Sequence, residues 1–582
     1  MNTPIQLSMG LDAAHHNHYL FSDHYLDQLL PEDPRWADAL PEAEAFLDWL
    51  QARYGREQAH LDHYNESQLE DHWFEPIFAR LGHSFEGQAR VPGLDDHAKA
   101  PDYVFFPDEA ARQGAARRQN DPAYTAEALA VGEVKRWETP LGKKQRGGGP
   151  RFEDQNPSWQ IDYYLRATGL DWGLLTNGRL WRLVHRDSSH RLSIYYEVDL
   201  VELLRRGDAR ALRYFTLFFR QAAFRPDGEG RVFLDDALAA SNAYAVALEE
   251  DLEENVYQAL ERLMEGFLDL ARNRLGPDDL RAIYDNSLYL LYRLLFILYG
   301  ESRGLLPMGS DAYRENYSLE SIKREIAQGK APTAAATTIT WARLMNLFHI
   351  INGGDPDLNQ DLGVPRYNGG LFDPQKHPFL EAHQVGDGAL VEAIDLLSRR
   401  ASDHGREFVD YRTLGVRHLG SIYEGLLEYQ PRHAEERMVA VGDEWLPVSA
   451  VPEGARVVDR RSPGQIYLET DRGERKATGS YYTPQYIVEY IVEHTLGPLI
   501  EEATERVKAD LAKRDLRERE RQALGGQRLV EEILDLKVLD PAMGSGHFLV
   551  EATEYLARAL ATDPYVETEA VEEDLTHWKR RV

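Results

Sequence analysis

The sequence predicts a multidomain α/β protein, and three observations predict it. Near the end, LKVLDPAMGSGHFLVEATEYLARAL (Leu536 to Leu560) reads as a short buried strand at Leu536, Val538 and Leu539, a glycine-bearing turn over Asp540 to Gly546, and a helix from His547. Between residues 56 and 225 short apolar runs alternate with helical stripes, the mark of an α/β layer. From 226 to 430 the apolar residues recur at helical spacing. A chain of 582 residues exceeds one hydrophobic core, and the pattern changes divide it at 1–55, 56–225, 226–430, 431–475 and 476–582.

Residues 1–55 read as a polar extension with a histidine cluster at His15, His16, His18 and His24 that lacks a metal-ligand spacing. In the next segment Leu69, Trp73, Phe74, Ile77, Phe78 and Leu81 form a helical stripe ending at Gly82. Two strands follow, PDYVFF (Pro101 to Phe106) and ALAVGEVKRW (Ala128 to Trp137). A helix is expected from about Pro157, then a hairpin turning type I′ at Asn177-Gly178, then helix over Leu200 to Phe224. The long helical segment predicts helices over Tyr244–Leu275, Asp279–Leu306, Ser318–Ala327, Ala336–Ile351, Gly388–Leu397 and Tyr411–Tyr429. Residues 431–475 turn to Val, Gly, Pro and charge, a β-hairpin excursion followed by the basic loop Arg472, Arg475, Lys476. A helix starts at Pro484, and Glu505 to Leu524 reads as a solvated helix of mixed charge.

Two places carry chemistry. Asp102 and Glu133, on neighbouring strands, offer the hard oxygen ligands that Mg²⁺ prefers, and Lys135 projects to the same face as Glu133 because strand side chains repeat every two residues. Such a centre polarises a phosphodiester and orients water. In the second place, Gly544 and Gly546 let the backbone approach a ligand, and the N–H groups opening the following helix favour an anion.

These residues resemble known families. Asp102, Glu133 and Lys135, followed by Gln160 and Tyr164 one helical turn apart, resemble PD-(D/E)xK nucleases of type I restriction subunits and type IIG enzymes. The resemblance implies a nuclease fold, catalytic roles for all five, and an early helical glutamate at Glu66, with Glu70 the competitor. LYRLLFILYGESRGLLP, YNGGLFD and VRHLGSIYEGLLEY resemble the helical connector of type IIG enzymes and their phage-defence relatives. DPAMGSGHF resembles motif I of adenine-N6 DNA methyltransferases, and GSYYTP (Gly479 to Pro484) the motif preceding it in their gamma-order branch. That implies the start of a Rossmann-like domain binding S-adenosyl-L-methionine through Thr483, Pro484, Asp540, Pro541, Ala542, Gly544, Gly546 and Phe548.

The family's Asn/Asp-Pro-Pro-Tyr/Phe motif is absent, and Asp121-Pro-Ala-Tyr124 lacks the second proline. The expectation is an amino-terminal portion whose cofactor site is incomplete, which does not methylate DNA alone and is completed by a downstream polypeptide. Double-stranded DNA is the expected partner, although the net charge of −31 argues against indiscriminate coating. No cysteine, no secretory start and no apolar run of the roughly 20 residues that span a bilayer point to the cytoplasm, away from membranes. The resulting reading is a Mg²⁺-dependent endonuclease joined to an adenine-specific methyltransferase of restriction-modification or phage defence. Its rivals are a non-cutting DNA-binding methyltransferase subunit and a defence-complex scaffold.

Overall fold

The computed structural model describes residues 15–87, 100–118, 121–144, 156–367, 369–402, 405–412, 414, 420, 422, 425–426, 429–442, 444–452, 454–470, 483–544, 546–568 and 573–582. It forms two compact units, Met1–Tyr244 with Thr483–Val582, and Ala245–Tyr482.

The first unit is built on a seven-stranded sheet in the order β1-β7-β6-β5-β4-β3-β2. Its strands are β1 (His16–His18), β2 (Ser84–Gly87), β3 (Tyr103–Phe106), β4 (Ala130–Val134), β5 (Trp172–Thr176), β6 (Leu180–His185) and β7 (Tyr195–Asp199). Among the described strands of this sheet only β4 and β5 pair in parallel. A parallel pair needs a crossover, which contains helix α1 (Pro157–Thr168), started by the Asn156 side chain accepting from Ser158 N and ended at left-handed Gly169. β3, β4 and β5 are buried along their whole length, so both faces of the sheet are covered.

The stripe Leu69 to Leu81 is buried as its spacing predicts, yet it is not one uniform helix. Glu66–Leu69 and Glu75–Arg80 are α-helical, and Glu70–Phe74 between them is a π turn. Proline explains the irregularity: Pro76 has no N–H for the carbonyl of His72, which instead accepts from Arg53 Nε (2.9 Å) and Nη2.

The expected polar extension is corrected. Leu20, Phe21, Tyr25, Leu26, Leu30, Trp36, Phe46, Leu47 and Leu50 are buried in the core, and His16–His18 forms the edge strand against β7. The histidines pack on aromatic rings rather than meeting at a metal: His15 lies 4.1 Å from the Tyr214 ring, His18 4.2 Å from Tyr195 and His24 4.0 Å from Tyr244. Burial holds the His15 imidazole down to about 4. The hairpin turn also differs from expectation. Thr176 pairs with Trp181, so the connection is longer than two residues; only Gly178 is left-handed, while Asn177 Oδ1 accepts from Arg179 N and Leu180 N.

The carboxy-terminal part of this unit is helical: α2 (Gln485–Ala512), α3 (Glu518–Leu534), α4 (His547–Thr562) and α5 (Asp574–Lys579), sharing an apolar core of Val488, Val492, Leu529, Leu556 and Trp578. The single mixed-charge helix expected over Glu505 to Leu524 is broken between α2 and α3. The strand expected at Leu536 to Leu539 does not form. No strand among the described residues pairs with this segment, so Val538 is 42% and Leu539 84% exposed.

The second unit is helical over Leu280–Ser302, Leu319–Ala327, Ile339–Ile351 and Asp387–Ser398, close to the expected spans. Part of the helix expected over Tyr411–Tyr429 and the basic loop at 472–476 lie outside the described residues. Within YNGGLFD, the carbonyl of Leu371 accepts from the buried Arg293 and Tyr367 donates to Leu305 O, contacts of a structural turn. Residues 431–475 hold more than a hairpin: Tyr429–His433 pairs with Ile466–Thr470, and Met438–Val441 is flanked by Glu444–Pro447 and Val457–Arg461 in a three-stranded sheet. Among the described residues no helix is long and apolar enough to cross a membrane.

Replacing Arg53 by Met leaves the His72 carbonyl without its donor and is expected to cost about 1 kcal/mol, read as a lower urea midpoint. An unchanged midpoint would show that the π turn holds itself.

Candidate nuclease centre and cofactor turn

The register that pairs Tyr103 with Gly132 carries Asp102 alongside Glu133. Asp102 Oδ2 accepts from Val134 N (2.9 Å), pinning the carboxyl to the end of β4, and Lys135 Nζ donates to Glu133 Oε1. Lys135 N donates to Thr176 O (2.8 Å), which fixes the lysine at the carboxyl end of the parallel pair. Ligands of open α/β sheets gather at such ends.

The electrostatics are those of two acids crowded around one cation. Burial, and then the neighbouring Glu133 charge, push Asp102 up to about 8. Burial also raises Glu133, which is 3% exposed, against the pull of Lys135. Burial works against the Lys135 charge, but Glu133 and Asp102 outweigh it and hold the ammonium above its usual range. Glu133 Oε2 is buried with no hydrogen-bond donor in good geometry. A second oxygen poor in donors beside another carboxyl is a fit for a hard cation. Asp102 and Glu133 would hold Mg²⁺; among the described residues no group of three or more His, Cys, Asp or Glu side chains converges.

Gln160 and Tyr164 lie on one buried face of α1, which packs beside β4. Burial, then the charges of Glu133 and Asp102, raise the Tyr164 hydroxyl well above its usual range, so the tyrosine belongs to the same electrostatic neighbourhood. The two early glutamates divide. Glu66 is exposed, its charge reaching Lys135. Glu70 is half-buried on the π turn and is raised to about 7 by burial and then by Asp102. Both early glutamates thus belong to the electrostatic surroundings of the centre, Glu70 through Asp102 and Glu66 through Lys135.

At the second place, Gly544 and Gly546 both have left-handed φ (52° and 83°), the conformation that glycine permits. Asp540 Oδ1 accepts from Ala542 N (3.0 Å), whereas Oδ2 is buried without a donor, a fit for the ammonium of an amino acid. Asp540, Pro541 and Phe548 line an open apolar groove of about 430 Å³ between α2 and the start of α4. Thr483 and Pro484 lead into α2. The segments expected to hold a cofactor are joined by a residue that sequence reading missed: Gln485 Oε1 accepts from His547 Nε2 (2.6 Å), and Gln485 Nε2 donates to Glu551 (2.9 Å) and Glu489 (2.8 Å). Position next to Pro484 was its only signal.

The sheet and the carboxy-terminal helices of this unit are joined by ion pairs. Arg191 pairs with Glu489 (3.0 Å), and Arg182, buried on β6 against Glu197 (2.5 Å), also reaches Glu573 (2.9 Å).

In sequence the chain is similar to a protein named for restriction and modification. The relative is a protein of Methanocaldococcus jannaschii named "Putative type II restriction enzyme and methyltransferase", 21% identical over 541 residues, which are 83% of this chain and 38% of the relative. The chain thus spans well under half the length of the curated relative it matches. No family model matches the chain, and no solved structure does.

Asp102 binds its proton more tightly folded than unfolded. Its contribution to stability is therefore fully present below the ordinary carboxylate range and is lost as pH rises through about 8. Asp102→Asn keeps an acceptor for Val134 N and leaves one acid for one lysine. Without added metal it is expected to raise stability at pH 8 by about 1 kcal/mol, roughly 2–4 °C in melting temperature, and to flatten the pH dependence between pH 5 and 8. A loss of stability would mean that the carboxylate serves the fold.

Proposed function

We propose that this chain carries a Mg²⁺-dependent DNA endonuclease centre of the PD-(D/E)xK kind, joined to the start of an S-adenosyl-L-methionine-dependent adenine-N6 methyltransferase, in restriction-modification or phage defence. One observation carries the nuclease reading: half-buried Asp102 lies alongside buried Glu133 where β3 and β4 meet, with the Lys135 ammonium on Glu133. Fold elements keep such a costly arrangement where chemistry requires it. When bound, Mg²⁺ supplies Lewis-acid polarisation of the phosphodiester and a more acidic water. Lys135, held protonated by its two acids, faces the negative charge that builds as the water oxygen bonds to phosphorus and the ester P–O bond breaks. Glu70, raised to about 7, has a carboxyl suited to taking the water's proton near neutral pH. Tyr164 keeps its hydroxyl proton throughout and can donate to a phosphate oxygen.

The methyltransferase reading is supported by the left-handed turn at Gly544 and Gly546, the donor-poor Asp540 Oδ2 and the Gln485 bridge that holds Thr483 and Pro484 near that turn. In this reading the turn receives the amino-acid end of the cofactor. The rival, a non-cutting DNA-binding subunit or scaffold, is favoured by one fact: fewer than three potential metal-binding side chains converge among the described residues.

Plasmid cleavage in Mg²⁺ separates the two. Glu133→Ala and Lys135→Ala are each expected to lower cutting by about 100-fold or more, with Glu70→Gln costing more than Glu66→Gln. Cutting at the parent rate by either of the first two variants, or none by the parent chain, would overturn the nuclease reading.

A further inference from the structure

The loop that leaves β4 is built into the start of α1. Leu141 and Gly142 are buried, and both carbonyls are used: Leu141 O accepts from Ser158 N (3.1 Å) and Ser158 Oγ (3.0 Å), and Gly142 O accepts from Asn156 Nδ2 (2.8 Å). Asn156, itself buried, opens α1: its Oδ1 accepts from Ser158 N (3.0 Å), and its carbonyl accepts from Trp159 N (2.9 Å) and Gln160 N (3.2 Å). The place of this loop therefore decides where α1 begins, and with it where Gln160 and Tyr164 stand beside β4.

The loop is held in turn by the carboxy-terminal helices. Lys144 Nζ donates to the carbonyls of Leu560 (3.2 Å), Val566 (2.6 Å) and Asp563, where α4 ends and the negative end of the helix dipole favours a cation. Three donors meet three carbonyls, so Lys144 has none left for a ligand. Burial lowers its ammonium to about 8, against the pull of Asp563 and Asp574, so at neutral pH the cation is in place. The Lys144 backbone N–H donates to Asp574 Oδ2 (2.8 Å), and Asp574 N donates to Gly142 O (3.2 Å). A Cβ at Gly142 would run into the Glu573 carboxyl, which accepts from the buried Arg182 (2.9 Å); the other arm of Arg182 reaches Ser158 Oγ (3.4 Å).

We propose that Lys144 is a positioning residue of the nuclease centre: by tying the loop after β4 to the end of α4 it sets, through Gly142 and Asn156, where α1 presents Gln160 and Tyr164 to that centre. This rests on the nuclease reading for what the centre does, but not for the anchoring contacts. A lysine that served stability alone would, when lost, lower the melting temperature and leave turnover of the folded protein intact. A positioning residue acts on the reacting geometry, where a displacement of about 1 Å costs as much as 100-fold in rate.

The test uses the full chain at pH 7 in Mg²⁺, at a temperature where each variant compared is folded, with plasmid nicking as one readout. Lys144→Met removes the three donors at similar length, and Asn156→Ser keeps an acceptor for the first turn of α1 but loses the reach to Gly142 O. Each is expected to lower kcat about 10- to 100-fold and to leave KM for DNA within about 2-fold. The double variant is expected to be hardly slower than the slower single one, because both substitutions break one path. Hydrogen exchange follows the geometry without cutting: the amides of α1 are expected to exchange about 10-fold faster in Lys144→Met than in the parent, with those of β5 and β6 unchanged. Parent turnover in folded Lys144→Met, a raised KM with kcat unchanged, or effects of the two substitutions that multiply overturns the proposal. If Lys144→Met does not fold, Asn156→Ser decides by the same split between kcat and KM. Failure of the nuclease reading looks different: the parent chain then does not nick, or nicks equally after Glu133→Ala. In that case α1 exchange decides the positioning on its own, and unchanged exchange in Lys144→Met overturns it.

Discussion

The most costly arrangement in the first unit is the ion pair between Lys135 and Glu133 with Asp102 at its side, and the surrounding backbone is built to hold it. Two acids and one base buried at the end of a strand cost desolvation energy that a pair of apolar side chains would not. What holds them is backbone: Val134 N on Asp102, Thr176 O on Lys135 N, and the parallel pairing of β4 with β5 across α1. Gly132 belongs to the same support, since a Cβ there would meet the Phe105 ring at 2.7 Å. The sheet thus delivers charge to one edge of itself, and the flanking elements are arranged around it: α1 with Tyr164, the π turn with Glu70, and the loop through Arg136.

Much of that centre was legible in the sequence because its signals are local. Glu133 and Lys135 are two apart on an apolar run, Gln160 and Tyr164 are four apart on a helical one, and both periodicities survive folding. The π turn over Glu70–Phe74, just before Pro76, was not legible, because spacing rules assume a uniform helix. The folded state of residues 15–55 was hidden by their polar and histidine-rich beginning; Leu20, Phe21, Tyr25 and Leu26 are buried by the edge of a sheet formed much later in the chain. In the cofactor turn the reverse holds. Its glycine conformation was readable locally, but a strand at Leu536 to Leu539 requires neighbours, and none among the described residues pairs with it.

Helix α4 joins the glycine turn to the sheet-bearing part of the unit. It opens at the cofactor turn, where His547 meets Gln485, and it ends on the three carbonyls that hold Lys144. Arg191 and Arg182 add ion pairs along the same seam. None of these contacts has a sequence signature, because each joins residues from 62 to several hundred positions apart through single side chains. Their sum is that the carboxy-terminal helices and the nuclease-like sheet form one compact unit, with the intervening segment folded as another.

The central claim, that Asp102 and Glu133 form a cation centre rather than an internal salt bridge of the fold, is tested most directly by proton release. Titration of Mg²⁺ into the chain at pH 7, in two buffers of different ionisation enthalpy, gives the number of protons displaced per ion bound. With Asp102 raised to about 8, binding is expected to release close to one proton in the parent chain and about none in Asp102→Asn. Heats that show no Mg²⁺ binding, or binding with the same proton count in both proteins, would contradict the assignment of the centre.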